Sequence, residues 1–266
     1  MEIRRNKASA VNVYTKNMTS VIENIGATRA ALGRMLRSID LVGWSRNEES
    51  GRLDRKALTR VSQGATSVFA RRAMKQADAS AVTIMVDCSG SMAGTEIMVA
   101  GEVSIQLGKL LEQSRVNFAI TGFTGSEPNT YRDAESGTYI DHVEFIPFKG
   151  RDESMRAAAP KLGSIERCAA SGNPDFSALM FTIEEIKTQK EQRKIIFFIT
   201  DTGSYIPSQM KHVQEVAAKL GITLIAIGVG TDCIKSMFKH GVDVQETRDM
   251  GGATFTTLLK TLRSKD

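Results

Sequence analysis

The chain has 266 residues and a formal net charge of +5, with 41% hydrophobic and 24% charged residues. That balance describes a folded globular chain and excludes a disordered one. No apolar run approaches the roughly 20 residues of a membrane-spanning helix. The basic start MEIRRNK is not followed by the apolar stretch of a secretory leader, so the expectation is a chain without one.

Charge is unevenly spread. Residues 1–75 hold 15 Lys and Arg against 6 Asp and Glu, a balance of +9, which leaves 20 basic and 24 acidic residues for 76–266. A basic excess confined to one end suggests contact with an acidic surface, although a solvated helical face explains scattered charges equally well. Helical periodicity is visible over 17–39, through Met18, Val21, Ile22, Ile25, Leu32, Met35, Leu36 and Ile39. A polar stretch, SRNEESGR (45–52), separates it from a second predicted helix that starts near Asp54 as N-cap. Residues 1–75 therefore read as a basic helical extension, and 76–266 as the folded core.

From residue 81 onward, apolar strands alternate with helical patterns. AVTIMVD (81–87) is a predicted strand, followed by a helix from Thr95 to about Gln113. VNFAITGF (116–123) and YIDHVEFIPF (139–148) are further strands, followed by helices at about 152–162 and 176–190. KIIFFITD (194–201), a helix over about 208–220, ITLIAIGVG (222–230), a short helix near 233–239 and VDVQ (242–245) come next. A last helix is expected from about Thr254 to Arg263. Continuously apolar strands are those buried on both faces of a parallel sheet. Alternation with helices then gives an α/β fold, a three-layer, doubly wound, mostly parallel sheet.

The informative segment is Asp87-Cys88-Ser89-Gly90-Ser91-Met92, directly after a buried strand. Alternate residues supply a carboxylate and two hydroxyls, and Gly90 permits the turn that brings them round to one point. In a parallel sheet the carboxyl ends of the strands open onto the ligand crevice. A hard cation such as Mg²⁺ takes oxygen ligands and keeps some water. One carboxylate with neutral hydroxyls fills part of that shell and leaves the ion electrophilic. Two other loops can add oxygens: Asp201, at the end of KIIFFITD, and Ser171-Gly172-Asn173-Pro174-Asp175, which leads into a helix. The plainer reading is turn and cap chemistry, strongest for Asp175, which stands where an N-cap would.

The D-x-S-G-S pattern of Asp87, Ser89 and Ser91, with the distal Asp201, resembles the metal-ion-dependent adhesion site of von Willebrand factor A (VWA) domains. The resemblance narrows to the C-terminal region of the CobT subunits of aerobic cobaltochelatase. It is carried by Gly51-Arg52-Leu53-Asp54 with Leu58, Gly122-Phe123-Thr124, Asn173-x-Asp175 before Ala178-Leu179, Gln192-Arg193-Lys194-Ile195 and Leu224 to Gly230. Most A domains place a threonine on the second metal loop, whereas here Asn173 stands there with Asp175 nearby, and either can be the ligand. The chain is shorter than a full chelatase subunit, and short chains of this kind also resemble those encoded by large bacteriophages.

The resemblance implies a Mg²⁺ site, or one for another divalent ion such as Mn²⁺, built from Asp87, Ser89, Ser91, Asn173 or Asp175, and Asp201. It implies a protein that binds a partner's Asp or Glu through the open metal position and acts beside an AAA+ ATPase of the MoxR or CobS kind. Such a subunit is not an enzyme by itself but an accessory to an ATP-dependent metal chelatase in cobalamin biosynthesis. No G-x-x-x-x-G-K-[ST] is present, so any ATP is a partner's. Three cysteines without paired spacing (Cys88, Cys168, Cys233) fit a reducing compartment, the cytoplasm of a bacterium or of a phage-infected cell. Other chemistries lack their residues. A phosphoaspartyl site usually carries a second Asp where Ser89 stands, there is no G-x-S-x-G elbow, and His142, His212 and His240 form no H-E-x-x-H pair. The alternative from another class is nucleic-acid binding through the basic segment, from Arg4, Arg5 and Lys7 onward, with no reading module to support it.

Overall fold

The computed structural model describes residues 10–15, 44–48, 50–53, 68–72, 80–132, 139–170, 172–201 and 206–245. The helices expected over 17–39, from Asp54 and from Thr254 lie outside these residues.

The first strands are β1 (Trp44–Glu48), β2 (Arg52–Leu53) and β3 (Phe69–Arg72), which pair antiparallel in the order β1-β3-β2. This small sheet corrects the purely helical reading of residues 1–75. Its strands are two to five residues long and its polar segments carry no apolar alternation, so periodicity had nothing to register. The main sheet follows. β4 (Ser80–Asp87) leads into α1 (Thr95–Gln113), then β5 (Asn117–Arg132) and β6 (Tyr139–Lys149) form a hairpin. α2 (Met155–Leu162), α3 (Asp175–Lys187), β7 (Arg193–Thr200), α4 (Pro207–Lys219), β8 (Ile222–Val229), α5 (Ile234–Met237) and β9 (Gly241–Val244) complete it. The strand order is β6-β5-β4-β7-β8-β9, parallel throughout except for the β5–β6 pair at one edge.

The apolar strand sequences divide by parity. Val82, Ile84 and Val86 of β4, Ile195, Phe197 and Ile199 of β7, and Ile225, Ile227 and Val229 of β8 enter one core under α1 and α2. Ala81 and Met85, Ile196 and Phe198, and Ile222, Leu224 and Ala226 enter the other, under α3 and α4. A strand that feeds two cores is apolar at nearly every position, which is why these segments read as almost continuous apolar runs; the buried Thr83 of β4 is held by Arg151. The expected three-layer architecture is what forms.

β5 runs well past the expected end at Phe123, because TGSEPNTYR (124–132) pairs with β6 while its sequence carries no apolar run to announce a strand. Lys149 closes the base of this hairpin. It is buried, donates to the carbonyls of Phe118 (2.8 Å) and Gly150 (3.0 Å), and sits 3.7 Å from the Phe118 ring centre. The helical turn over 10–15 also belongs to the fold: Ala10 is buried with its carbonyl against Gly163, and Tyr14 packs on the first core.

Gly122 in the middle of β5 lets two buried groups meet. A Cβ there would lie 2.6 Å from the Phe148 ring and 2.9 Å from Cys88 Sγ, both enclosed and unable to withdraw. Gly122→Ala is expected to destabilise the domain by about 1–3 kcal/mol through overpacking. Urea denaturation checks it, and an unchanged midpoint would show that Phe148 and Cys88 have room to move.

Candidate functional site

Asp87 is the last residue of β4, and its parity turns its side chain toward the α3 face of the sheet. It is completely buried. Its Oδ1 accepts from the Ser89 amide (2.8 Å), a turn that swings the chain into the short 3₁₀ segment Gly90–Met92. That turn brings Ser89 Oγ to 3.0 Å from Ser91 Oγ; Ser89 is buried and Ser91 exposed, so the hydroxyl pair runs from the interior to the surface. On the other carboxylate oxygen, Oδ2 accepts from Thr200 Oγ1 (2.8 Å) and more weakly from Asn173 Nδ2 (3.3 Å).

The second loop is sewn to its neighbours by backbone contacts. Ala170 N donates to Cys88 O (2.9 Å), Gly125 N donates to Gly172 O (2.8 Å), and Thr124 Oγ1 donates to the carbonyl of Ala170. A Cβ on Gly125 would meet the Gly172 backbone at 3.0–3.2 Å, so glycine at this point of β5 lets the loop lie close. Asn173 is carried to Asp87 in this way.

Asp175 does not do what its sequence position suggested. The N-cap of α3 is Pro174, without a side-chain cap, and Asp175 is the first helical residue. Its carboxylate is buried and neither oxygen has a hydrogen-bond partner; Asn173 Oδ1 is likewise buried and unpartnered. A buried carboxylate with no donor is among the costlier arrangements a protein can hold. Burial pushes the Asp175 carboxyl well above its ordinary range, and the charges of Asp87 and Asp201 push it further. The Asn173 side chain opposes this slightly by lying nearby, though it makes no well-formed hydrogen bond to Asp175.

Burial also raises Asp87, to about 6; bonds from Ser89 and Thr200 hold it down and the charge of Asp201 adds to the rise. Asp201 follows β7 directly, is half-buried, and is close enough to act on both other carboxylates. The structure thus joins Asp87, Ser89, Ser91 and Asn173 by direct contacts and sets Asp175 and Asp201 within electrostatic reach. Among the described residues no three His, Cys, Asp or Glu side chains converge tightly enough to hold an ion by themselves. The oxygens gathered at Asp87 are a mixed set of carboxylate, hydroxyl and amide, which suits a hard cation.

Thr200 escaped the sequence reading. Its signal was present, a hydroxyl-bearing residue ending an otherwise apolar run beside Asp201, but only strand pairing aligns it with Asp87. Cys88 faces the first core; it is buried and its thiol is pushed up by burial, so it is inert packing. His142 and His212 are exposed, and His212 lies against the Phe176 ring.

A six-stranded sheet with one antiparallel edge, helices on both faces and an oxygen cluster at the end of its central strand define a VWA-type α/β domain. The family described as the cobalamin biosynthesis protein CobT VWA domain matches residues 68–264, most of the chain. The protein belongs to this CobT VWA-domain family. Solved structures are more distant. The conserved hypothetical protein BatB from Bacteroides thetaiotaomicron is 15% identical over 69% of this chain and 99% of its own (TM-score 0.49). A von Willebrand factor type A protein from Catenulispora acidiphila is 17% identical over 71% and 44% (0.46). The manganese-loaded TRAP protein of Plasmodium vivax is 12% identical over 70% and 74% (0.49).

The raised Asp87 carboxyl sets a pH dependence in metal-free protein. The unfolded chain releases this proton near 3.8 and the folded one near 6, so the folded state holds more protons between those values. Stability then falls as pH rises through that window. Calorimetry in EDTA should show a loss on the order of 2 kcal/mol from this group between pH 4 and pH 7. Asp87→Asn should remove it, and an equal fall in the variant would show that Asp87 is not its source.

Proposed function

We propose that this protein is a non-catalytic, metal-dependent protein-binding subunit. Asp87, Ser89, Ser91 and Asp201, with Asn173 or Asp175, would hold Mg²⁺ or a similar divalent ion such as Mn²⁺. The observation that carries the reading is the partnerless pair at the second loop. Asp175 and Asn173 Oδ1 are buried beside two further carboxylates with no donor to satisfy them. A cation is the partner that would relieve both their lost hydration and their mutual repulsion. Membership of the CobT VWA-domain family agrees with it.

When bound, such an ion would supply an electrophilic position to which an outside carboxylate can add. The protein's own residues do the rest. Ser89 and its amide hold the turn, Ser91 carries the cluster to the surface, and the stitched second loop keeps Asn173 against Asp87. The partner at the metal would be an Asp or Glu of a client or of an AAA+ ATPase of the MoxR or CobS kind. The work of that ATPase would resemble the metal-insertion complexes of cobalamin biosynthesis. Among the described residues no helix is long and apolar enough to cross a membrane. We place the protein in the cytoplasm of a bacterium or of a phage-infected cell. The basic excess of residues 1–75 would serve as a docking surface for the ATPase or its client.

A pull-down of an AAA+ ATPase of the MoxR or CobS kind with wild type and Asp87→Ala, across a Mg²⁺ titration, tests the reading. Wild-type capture should rise with Mg²⁺ and vanish in EDTA, and the variant should capture little at any concentration. Equal capture by both proteins would remove the metal from the interaction.

A further inference from the structure

Four of the buried hydroxyls of this domain show the contrast. Ser104 and Thr182 return their protons to carbonyls one turn back in their own helices, Ala100 (2.7 Å) and Ala178 (2.9 Å). Thr83, in the middle of β4, accepts from Arg151 (2.8 Å). Thr200 instead donates to a carboxylate, that of Asp87, 113 residues away in sequence, which the nearby Ser89 side chain also reaches. It is fully buried at the end of RKIIFFIT, where every other residue of the last six is apolar. Valine would fill the same volume there, favour the strand equally and bury no polar atom. The hydroxyl therefore has a reason beyond packing.

That reason lies in strand register. β4 and β7 are parallel and paired up to Val86 and Ile199, so Asp87 and Thr200 are the next positions on adjacent strands. Their parity puts both side chains on the α3 face of the sheet. The Ser89 amide holds Oδ1 and Thr200 holds Oδ2, so the carboxylate is gripped at both oxygens and its plane is set. Without the hydroxyl, Oδ2 loses its shorter bond and keeps the longer contact from Asn173 (3.3 Å).

Resting on the metal reading above, we infer that Thr200 is a positioning residue for the cation site: its hydroxyl fixes the orientation of Asp87 and ties the first oxygen loop to the third. A bond from a neutral donor to a carboxylate is charge-assisted and directional. Groups that orient metal ligands in this manner typically change affinity 10- to 100-fold when lost, as an order of magnitude. Because Thr200 also precedes Asp201 in the chain, the same contact aligns the strand ends that carry two of the acidic side chains.

Full-length wild type, Thr200→Val and Thr200→Ser are titrated with Mn²⁺ by calorimetry, and the melting temperature of each is measured in EDTA. The valine variant should bind Mn²⁺ about tenfold more weakly while the serine variant, which keeps the donor, stays close to wild type. Unaltered affinity in Thr200→Val, or a loss in Thr200→Ser as large as that in the valine variant, overturns the inference. If the valine variant does not fold, Thr200→Ala removes the same donor without adding bulk. Wild type that takes up no Mn²⁺ overturns the metal reading itself and this inference with it, an outcome visible before any variant is compared.

Discussion

The site depends on one physical constraint, the burial of the Asp87 carboxylate at the end of a central strand. A charge placed there loses its water and must be compensated by donors or by an ion. Its donors include the Ser89 amide and side chain, the Thr200 hydroxyl and a long contact from Asn173, yet burial still raises the Asp87 carboxyl to about 6. Asp175 has no donor at all. A fold that concentrates carboxylates where water cannot reach them is poorly balanced alone, and this imbalance is the basis for assigning a cation to the cluster.

The sheet makes the concentration possible. Strands that serve two cores are apolar at nearly every position, with Thr83 inside β4 held by Arg151, and the oxygen-bearing side chains of the site stand at the carboxyl ends. Asp87 and Thr200 occupy those ends on neighbouring strands, and Asp201 follows immediately. The second loop has no strand to align it. It is placed by backbone bonds to Cys88 and Gly125 and by the close approach that Gly125 allows. Strand register and loop stitching thus converge on one point from different parts of the chain.

The amino-terminal segment stands in a different relation to the fold. Its charge was plain in the composition, yet its described residues include a three-stranded sheet that polar, short strands concealed. The turn over 10–15 lies against Gly163 and the first core, upstream of the family match that begins at residue 68. Residues 10–15 are therefore packed on the α/β domain.

Sequence alone determined the fold class and the order of strands and helices from Ser80 to Val244, because two-sided burial leaves a nearly continuous apolar signature that helices interrupt. It also marked Asp87, Ser89, Ser91, Asn173, Asp175 and Asp201 as candidates, since oxygen-bearing residues gather where two apolar strands end and where a loop enters a helix. Tertiary structure alone decided three things. It showed that Asp175 caps nothing and is left without a partner, because capping depends on where the helix begins and not on residue type. It brought Asn173 to Asp87 across 86 residues through backbone bonds that no side-chain pattern encodes. It aligned Thr200 with Asp87 through the pairing of β4 with β7, a long-range register that local periodicity does not carry.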